Sequence, residues 1–363
     1  MATRKRLFAL TCVVIAAGCG SASPSSSSGE PSAGYASASP EKLEGAELYG
    51  RYCALCHGER AEGYAADDAN ALANQEFLST ASDSFLRFGI AYGRPGTAMS
   101  AFAESQGGPL SDEQVWSIVE YLRSFQTTDS IDLDEGVVQG DPARGRGVYE
   151  RHCAGCHGEE GEGSASGPSL NNPVFLMTAS DGFLRYAIEH GRSQTPMAGY
   201  ADELAPQEID DLTALIRSWA SSPDLEPVSA KAVSFDDPVT NAEGHAPQFG
   251  ELREDRYVPA EKVHDALVAG ARMILLDARP VSDWIHGHIP GALPAPFFDA
   301  EKIADVLPDD DTYIVIYCAC PHAASGIVMD VLRERGFSNT AVIDEGVLVW
   351  ATRGYPIVSG RDE

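Results

Sequence analysis

Cys53-Ala54-Leu55-Cys56-His57 recurs as Cys153-Ala154-Gly155-Cys156-His157, 100 residues further along the chain. Two thiols at this spacing reach the two vinyl groups of one haem and form thioethers, which places the adjacent His under the iron as proximal ligand. The pattern therefore predicts two covalently bound haem c groups. Cys53, Cys56, Cys153 and Cys156 are the attachment points, and His57 and His157 are iron ligands. Zinc would need four ligands in range, and each His follows its Cys too closely to be an independent one. A thioredoxin-like thiol pair would need a βαβ setting, whereas helical patterns flank both pairs.

The repeat extends well beyond the two motifs. Gly45 and Tyr49 recur as Gly145 and Tyr149 on the helix leading into each motif. Phe77-Leu78 and Thr80-Ala81-Ser82-Asp83 recur as Phe175-Leu176 and Thr178-Ala179-Ser180-Asp181, and Phe85-Leu86-Arg87 as Phe183-Leu184-Arg185. Gly93-Arg94 returns as Gly191-Arg192, and the drift of the offset from 100 to 98 puts small indels in loops. Met99 and Met197 stand in register in the loop after each Gly-Arg pair and are nominated as the second axial ligands. A thioether is a soft ligand, and His/Met ligation raises the reduction potential. Met177 aligns with Ser79 and is read as a core residue. Amphipathic helices over 112–125 and 207–219 close the two halves.

On these residues each half resembles a small class I cytochrome c, all-α around one haem, over 42–126 and 140–221. In that family a Pro-bearing loop offers a carbonyl to the proximal His, and Gly167-Pro168-Ser169-Leu170 matches it. The first half has Ala69-Asn70-Ala71-Leu72 instead, so the resemblance leaves His57 less firmly oriented than His157 and implies unequal haem potentials.

The remaining sequence sets the context. The 363 residues suit two or three domains, and 54 acidic against 26 basic side chains give a net charge of −28. Such a surface repels phosphate backbones, which argues against nucleic acid as a partner. It serves solubility, or docking to basic redox proteins of the cell envelope. Arg4-Lys5-Arg6 and the short apolar run Leu7 to Ala17 read as an export signal over 1–19, too short to span a bilayer. Ile15-Ala16-Ala17-Gly18-Cys19 resembles the lipobox of bacterial lipoproteins, which implies a lipid anchor at Cys19 and a periplasmic or envelope location. Cleavage near Ser21-Ala22-Ser23 is the alternative. A Ser/Pro-rich tether over 20–40 follows.

The C-terminal third changes character after a Pro- and acid-rich linker over 223–251. Short apolar strands at 273–276, 313–317 and 341–343 alternate with helices at 263–269 and 326–335, which predicts an α/β domain with a parallel sheet. Asp277-Ala278-Arg279, Gly287-His288-Ile289-Pro290-Gly291-Ala292 and Asp344-Glu345-Gly346 with Trp350 and Gly354-Tyr355-Pro356 resemble a rhodanese domain over 255–358. Asp277, Arg279 and His288 read as structural. The resemblance makes Cys318, directly after Ile314-Val315-Ile316-Tyr317, the nucleophile of a sulfurtransferase that takes sulfane sulfur as a persulfide. Its donor would be thiosulfate, a persulfide or another sulfane-sulfur compound. The loop departs from the family pattern: the usual Arg near its end is absent, and Pro321 deletes an amide donor. Cys320 reads equally as a resolving thiol or as a small spacer. Two readings of the whole follow. Sulfur oxidised at Cys318 delivers electrons to the haems, or the rhodanese domain is a non-catalytic binding module on an electron carrier.

Overall fold

The computed structural model describes residues 40–66, 68–134, 136–228, 238–319 and 322–360. The export segment with Cys19, almost all of the tether, Cys320 and Pro321 lie outside the described residues.

The first half contains α1 (Pro40–Tyr52), α2 (Ala54–His57), α3 (Gln75–Leu78), α4 (Asp83–Tyr92) and α5 (Asp112–Arg123). The second repeats the set as α6 (Pro142–His152), α7 (Ala154–His157), α8 (Pro173–Thr178), α9 (Asp181–His190) and α10 (Pro206–Ser218). The recurring Ser-Asp pair is a helix start: Ser82 accepts from the Phe85 amide, and Ser180 from the Phe183 amide. In each half the first helix crosses the last, α1 on α5 and α6 on α10. Glycine at the crossing is a steric requirement. A Cβ on Gly45 would lie 2.1 Å from the Ser117 carbonyl oxygen, and one on Gly145 2.2 Å from that of Asp211.

The two halves share one apolar core and meet about a pseudo-twofold. Phe77, Phe85, Phe175 and Phe183, two pairs of equivalents, pack ring against ring, with Phe85 and Phe183 5.0 Å apart at their centroids. Asn74 Nδ2 donates to the Ser193 carbonyl (2.8 Å), and its equivalent Asn172 donates to the Pro95 carbonyl (3.0 Å). Reciprocal bonds of this kind arise when the same surface patch is used on both partners.

The last domain is α/β, with β1 (Tyr257–Val258), α11 (Ala260–Val268), β2 (Met273–Asp277), α12 (Val281–His286) and β3 (Ala292–Pro294). α13 (Ala300–Ala304), β4 (Tyr313–Tyr317), α14 (Ala323–Glu334), β5 (Thr340–Ile343) and α15 (Gly346–Thr352) complete it. The five strands lie in the order β1-β5-β4-β2-β3, all parallel, as predicted from the alternation. Two apolar clusters cover the two faces, which explains why β2 and β4 read as unbroken apolar runs. The sequence reading passed over β1 and β3 because two and three residues are too few to show a period.

Many residues in the described parts of 223–251 are exposed, as in a linker, but two points are tied down. The Val228 amide donates to the Ser105 carbonyl (2.8 Å), and Phe249 is buried in the α/β core. Proline and acid content suggested a spacer, but periodicity cannot report irregular backbone that lies along a surface.

Candidate functional site

The haem motifs occupy the turn between a long helix and a one-turn helix. Cys53 follows α1, and Cys56 and His57 lie on α2; Cys153, Cys156 and His157 repeat the arrangement on α6 and α7. Tyr49 Oη donates to the Gly58 carbonyl (2.9 Å) and Tyr149 Oη to that of Gly158 (2.8 Å), so the same tyrosine closes each turn behind its histidine.

Both histidines are buried. His57 Nδ1 lies 2.8 Å from the Asn70 carbonyl oxygen, and His157 Nδ1 2.8 Å from that of Pro168. A carbonyl only accepts, so Nδ1 carries the proton and Nε2 keeps its lone pair for a metal. Burial lowers both pKa values, against the opposing pull of those carbonyls, and holds the imidazoles neutral. The weaker orientation expected for His57 is therefore corrected: Asn70 supplies through its backbone what Pro168 supplies in the second half. A carbonyl needs no particular side chain, which is why the residue names misled.

None of these four cysteines is in a disulfide. Burial, then the neighbouring Cys56, pushes the Cys53 thiol up to about 12; burial, then Cys156, pushes Cys153 up to about 11. Thiols held neutral in this way are unsuited to thiolate exchange. Among the described residues no group of three or more His, Cys, Asp or Glu side chains forms a metal site.

The two methionine loops have one internal scaffold. The Arg94 amide donates to the Met99 carbonyl (2.8 Å) and the Met99 amide to Thr97 Oγ1 (3.1 Å). Arg192, Met197 and Thr195 repeat this at 2.9 and 3.2 Å. Met99 packs against the shared core, and Met197 is half-buried. Met177, read as core, is instead 42% exposed. Its neighbours Val174 and Leu176 fill the buried face of α8, and Met177 falls on the other side.

A feature of the repeat that carried no role in the sequence reading is the arginine. The Arg94 guanidinium lies over the Phe85 ring and Arg192 over Phe183, and each donates to the carbonyl of the preceding glycine. Burial lowers both pKa values to about 10. Two half-buried cations on the methionine loops suit a cofactor that brings carboxylates. With the two Cys pairs and the neutral imidazoles, the residues present fit haem c.

In the α/β domain Cys318 directly follows β4, at the carboxyl edge of the sheet where ligands bind in such folds. Its side chain is 4% exposed, and Sγ lies 3.2 Å from Ser325 Oγ on α14. His322, at the N-cap of α14, lies tilted over the Tyr257 ring at 3.9 Å and bonds through Nε2 to Asp344 Oδ1 (3.1 Å). Arg253, then burial in opposition, sets the Asp344 carboxyl below its ordinary range. Asp277 and Arg279 form a buried pair (2.5 Å), and Arg279 also donates to the Gly287 carbonyl (2.7 Å). His288 Nδ1 lies 2.8 Å from the Trp284 carbonyl oxygen, within the structural role expected of all three.

This domain is seated on the first half. Tyr52 and Phe298 meet edge to face at 4.8 Å, Arg51 pairs with Asp299 (2.9 Å), and α14 lies against α2. Sequence reasoning missed this surface, since nothing local distinguishes a residue that meets another domain from one that meets water.

Comparison with known proteins agrees with this division. The family of cytochrome c oxidase, cbb3-type, subunit III matches residues 40–122; cytochrome c matches 142–220; the rhodanese-like domain matches 260–353. The chain is 25% identical to the cbb3-type cytochrome c oxidase subunit FixP of Bradyrhizobium sp. (strain ORS 278), over 49% of this chain and 60% of the relative. It is 27% identical to subunit CcoP of Azospirillum sp. (strain B510), over 48% of this chain and 60% of the relative. The match thus spans about 60% of these relatives. Among solved structures, the thiosulfate sulfurtransferase of Pseudomonas aeruginosa is 28% identical over 29% of this chain and 20% of that one, with a TM-score of 0.27. No helix among the described residues is long and apolar enough to cross a membrane. Cytochrome c domains imply covalently bound haem c, and this chain carries two segments that match cytochrome c-type families followed by one that matches the rhodanese-like domain.

Proposed function

We propose that the protein is an exported dihaem cytochrome that passes electrons between redox proteins of the cell envelope. It is anchored there by lipid at Cys19, and its rhodanese domain loads sulfane sulfur on Cys318. The observation that carries the haem reading is the duplicated buried histidine, each directly after a Cys pair and each with Nδ1 committed to a loop carbonyl. Cys53, Cys56, Cys153 and Cys156 would hold two haems, with His57 and Met99 on one iron and His157 and Met197 on the other. Bound haem supplies one-electron redox chemistry. The protein contributes neutral imidazole ligands, thioethers that favour the reduced state, and half-buried cations at Arg94 and Arg192.

For the sulfur step, the Cys318 thiolate would attack the outer sulfur of a donor such as thiosulfate, forming a persulfide and releasing sulfite. Addition of water oxygen to the persulfide's outer sulfur, with loss of one proton, would then release two electrons, one for each of two ferric haems, and two contacts support that route. α14, which follows the Cys318 loop, lies against the α2 helix of the first haem motif, and the aromatic quartet joins the first half to the second. Cys156 is exposed, which favours the second half as the place where a partner docks. The acidic surface favours basic partners.

The test is reduction of the oxidised protein by a sulfane donor. Expressed with haem-maturation machinery, the protein should retain two covalent haems after denaturation and be reduced by the donor; Cys318→Ser should abolish the reduction. The burial of Cys318 favours the second reading, a rhodanese domain that binds without turnover. A persulfide that forms on Cys318 but never reduces haem would favour that alternative.

A further inference from the structure

The two methionine loops are alike inside and different outside. After Met99 the chain continues with Ser100 and Ala101, both buried; after Met197 it continues with Ala198 and Gly199, both exposed. What covers the first loop is α12 of the rhodanese-like domain. Ser100 Oγ donates to Asp283 Oδ2 (2.5 Å), and Ser282 Oγ, itself fully buried, donates to the Ala101 carbonyl (2.6 Å). Val228, Trp284 and Ile285 form an apolar cluster beside these bonds. Two side chains of one helix turn thus hold the two residues that follow Met99. Among the described residues nothing plays this part in the second half, where the counterpart of Ser100 is Ala198, without a hydroxyl.

We infer that the rhodanese-like domain is a clamp on the methionine loop of the first cytochrome domain, with Asp283 and Ser100 as positioning residues that keep Met99 in place while Met197 is left free to yield. The inference rests on the reading of Met99 and Met197 as iron ligands. A carboxylate that accepts from a buried hydroxyl contributes more than a neutral pair would. Opening the first loop breaks this bond and the Ser282 bond together, whereas opening the second breaks neither. The rhodanese domain thereby acts on the redox site whether or not Cys318 turns over.

The test is displacement of methionine by imidazole in the haem-loaded full-length protein, read by the near-infrared sulfur-to-iron band. In a Met197→Ala background the band reports the first site alone, and in a Met99→Ala background the second alone. The first site should need roughly tenfold more imidazole than the second, a ratio in keeping with one hydrogen bond to a charged group. Asp283→Ala or Ser100→Ala should bring the first midpoint down toward the second, and Asp283→Asn, which keeps an acceptor for Ser100, should restore most of the difference. Equal midpoints in the two backgrounds, or an unchanged first midpoint in both Asp283→Ala and Ser100→Ala, would overturn the clamp. Absence of the band from the Met197→Ala background would instead overturn the ligand reading of Met99 on which the clamp depends.

Discussion

The two cytochrome halves keep the same interior and have diverged at their surfaces. Shared are the tyrosine behind the histidine, the carbonyl on Nδ1, the Arg-Met-Thr loop and the arginine over phenylalanine. Each of these belongs to the histidine turn or to the methionine loop, and a change there is felt in either half. The differences lie elsewhere. The first loop is covered by α12 and the second is open; the first helix crossing carries Ser117 and the second Asp211. Duplication supplied two equal sites, and what surrounds them made the sites unequal.

The comparison can be broken most directly at the cysteines. Cys53→Ala with Cys56→Ala should leave one covalent haem on the chain, and Cys153→Ala with Cys156→Ala the other, by mass of the denatured protein. Survival of both haems in either double variant would refute the equivalence of the halves.

Next in size is the ligand pair. Met99→Ala and Met197→Ala should each remove one near-infrared band and lower one potential in a redox titration. Loss of both bands from a single substitution would show that the sites are not independent.

The helix crossings should differ in acid. Asp211 accepts from Arg144 through both carboxylate oxygens, which, against burial, holds its carboxyl down to about 2. A carboxyl depressed in the folded state contributes stability above its ordinary pKa near 4, and that stability is lost as pH falls toward 2. Arg144 is largely exposed, so solvent screening keeps the contribution small. Asp211→Asn should therefore lower the denaturant midpoint at pH 7 and have little effect near pH 2. In the first half Ser117 Oγ bonds only to the Glu113 carbonyl among the described residues, and Ser117→Ala should show no such pH window. An Asp211→Asn deficit that persists undiminished near pH 2 would remove the ion pair as its cause.

Smaller and symmetric effects are expected at the pseudo-twofold. Asn74 and Asn172 each cap a helix and reach across to the other half. Asn→Ala at either should cost about 1–2 kcal/mol in chemical unfolding, by loss of one cap and one hydrogen bond. Markedly unequal costs would mean that the interface is not built reciprocally.

The smallest effect belongs to Met177. Exposed on α8, it should tolerate Met177→Ala within about 0.5 kcal/mol, with the second near-infrared band intact. Loss of that band would transfer the ligand role from Met197 to Met177.

Local chemistry is what the sequence carried by itself. The Cys-x-x-Cys-His repeat, the register of Met99 with Met197 and the alternation of apolar strands with helices all depend on residues close together in the chain. Two cytochrome halves and a parallel α/β domain were legible from them. Backbone groups and long-range surfaces were not. Asn70 serves His57 through a carbonyl that any residue possesses, and Met177 faces outward because of how one short helix lies on the core. Most of all, Ser100 and Asp283 meet across 183 residues of sequence. Neither carries a local signal of the contact, since a serine or an aspartate bound to another domain has the same letter as one bound to water. Only the packing of the third domain on the first decided which of two equal loops is held.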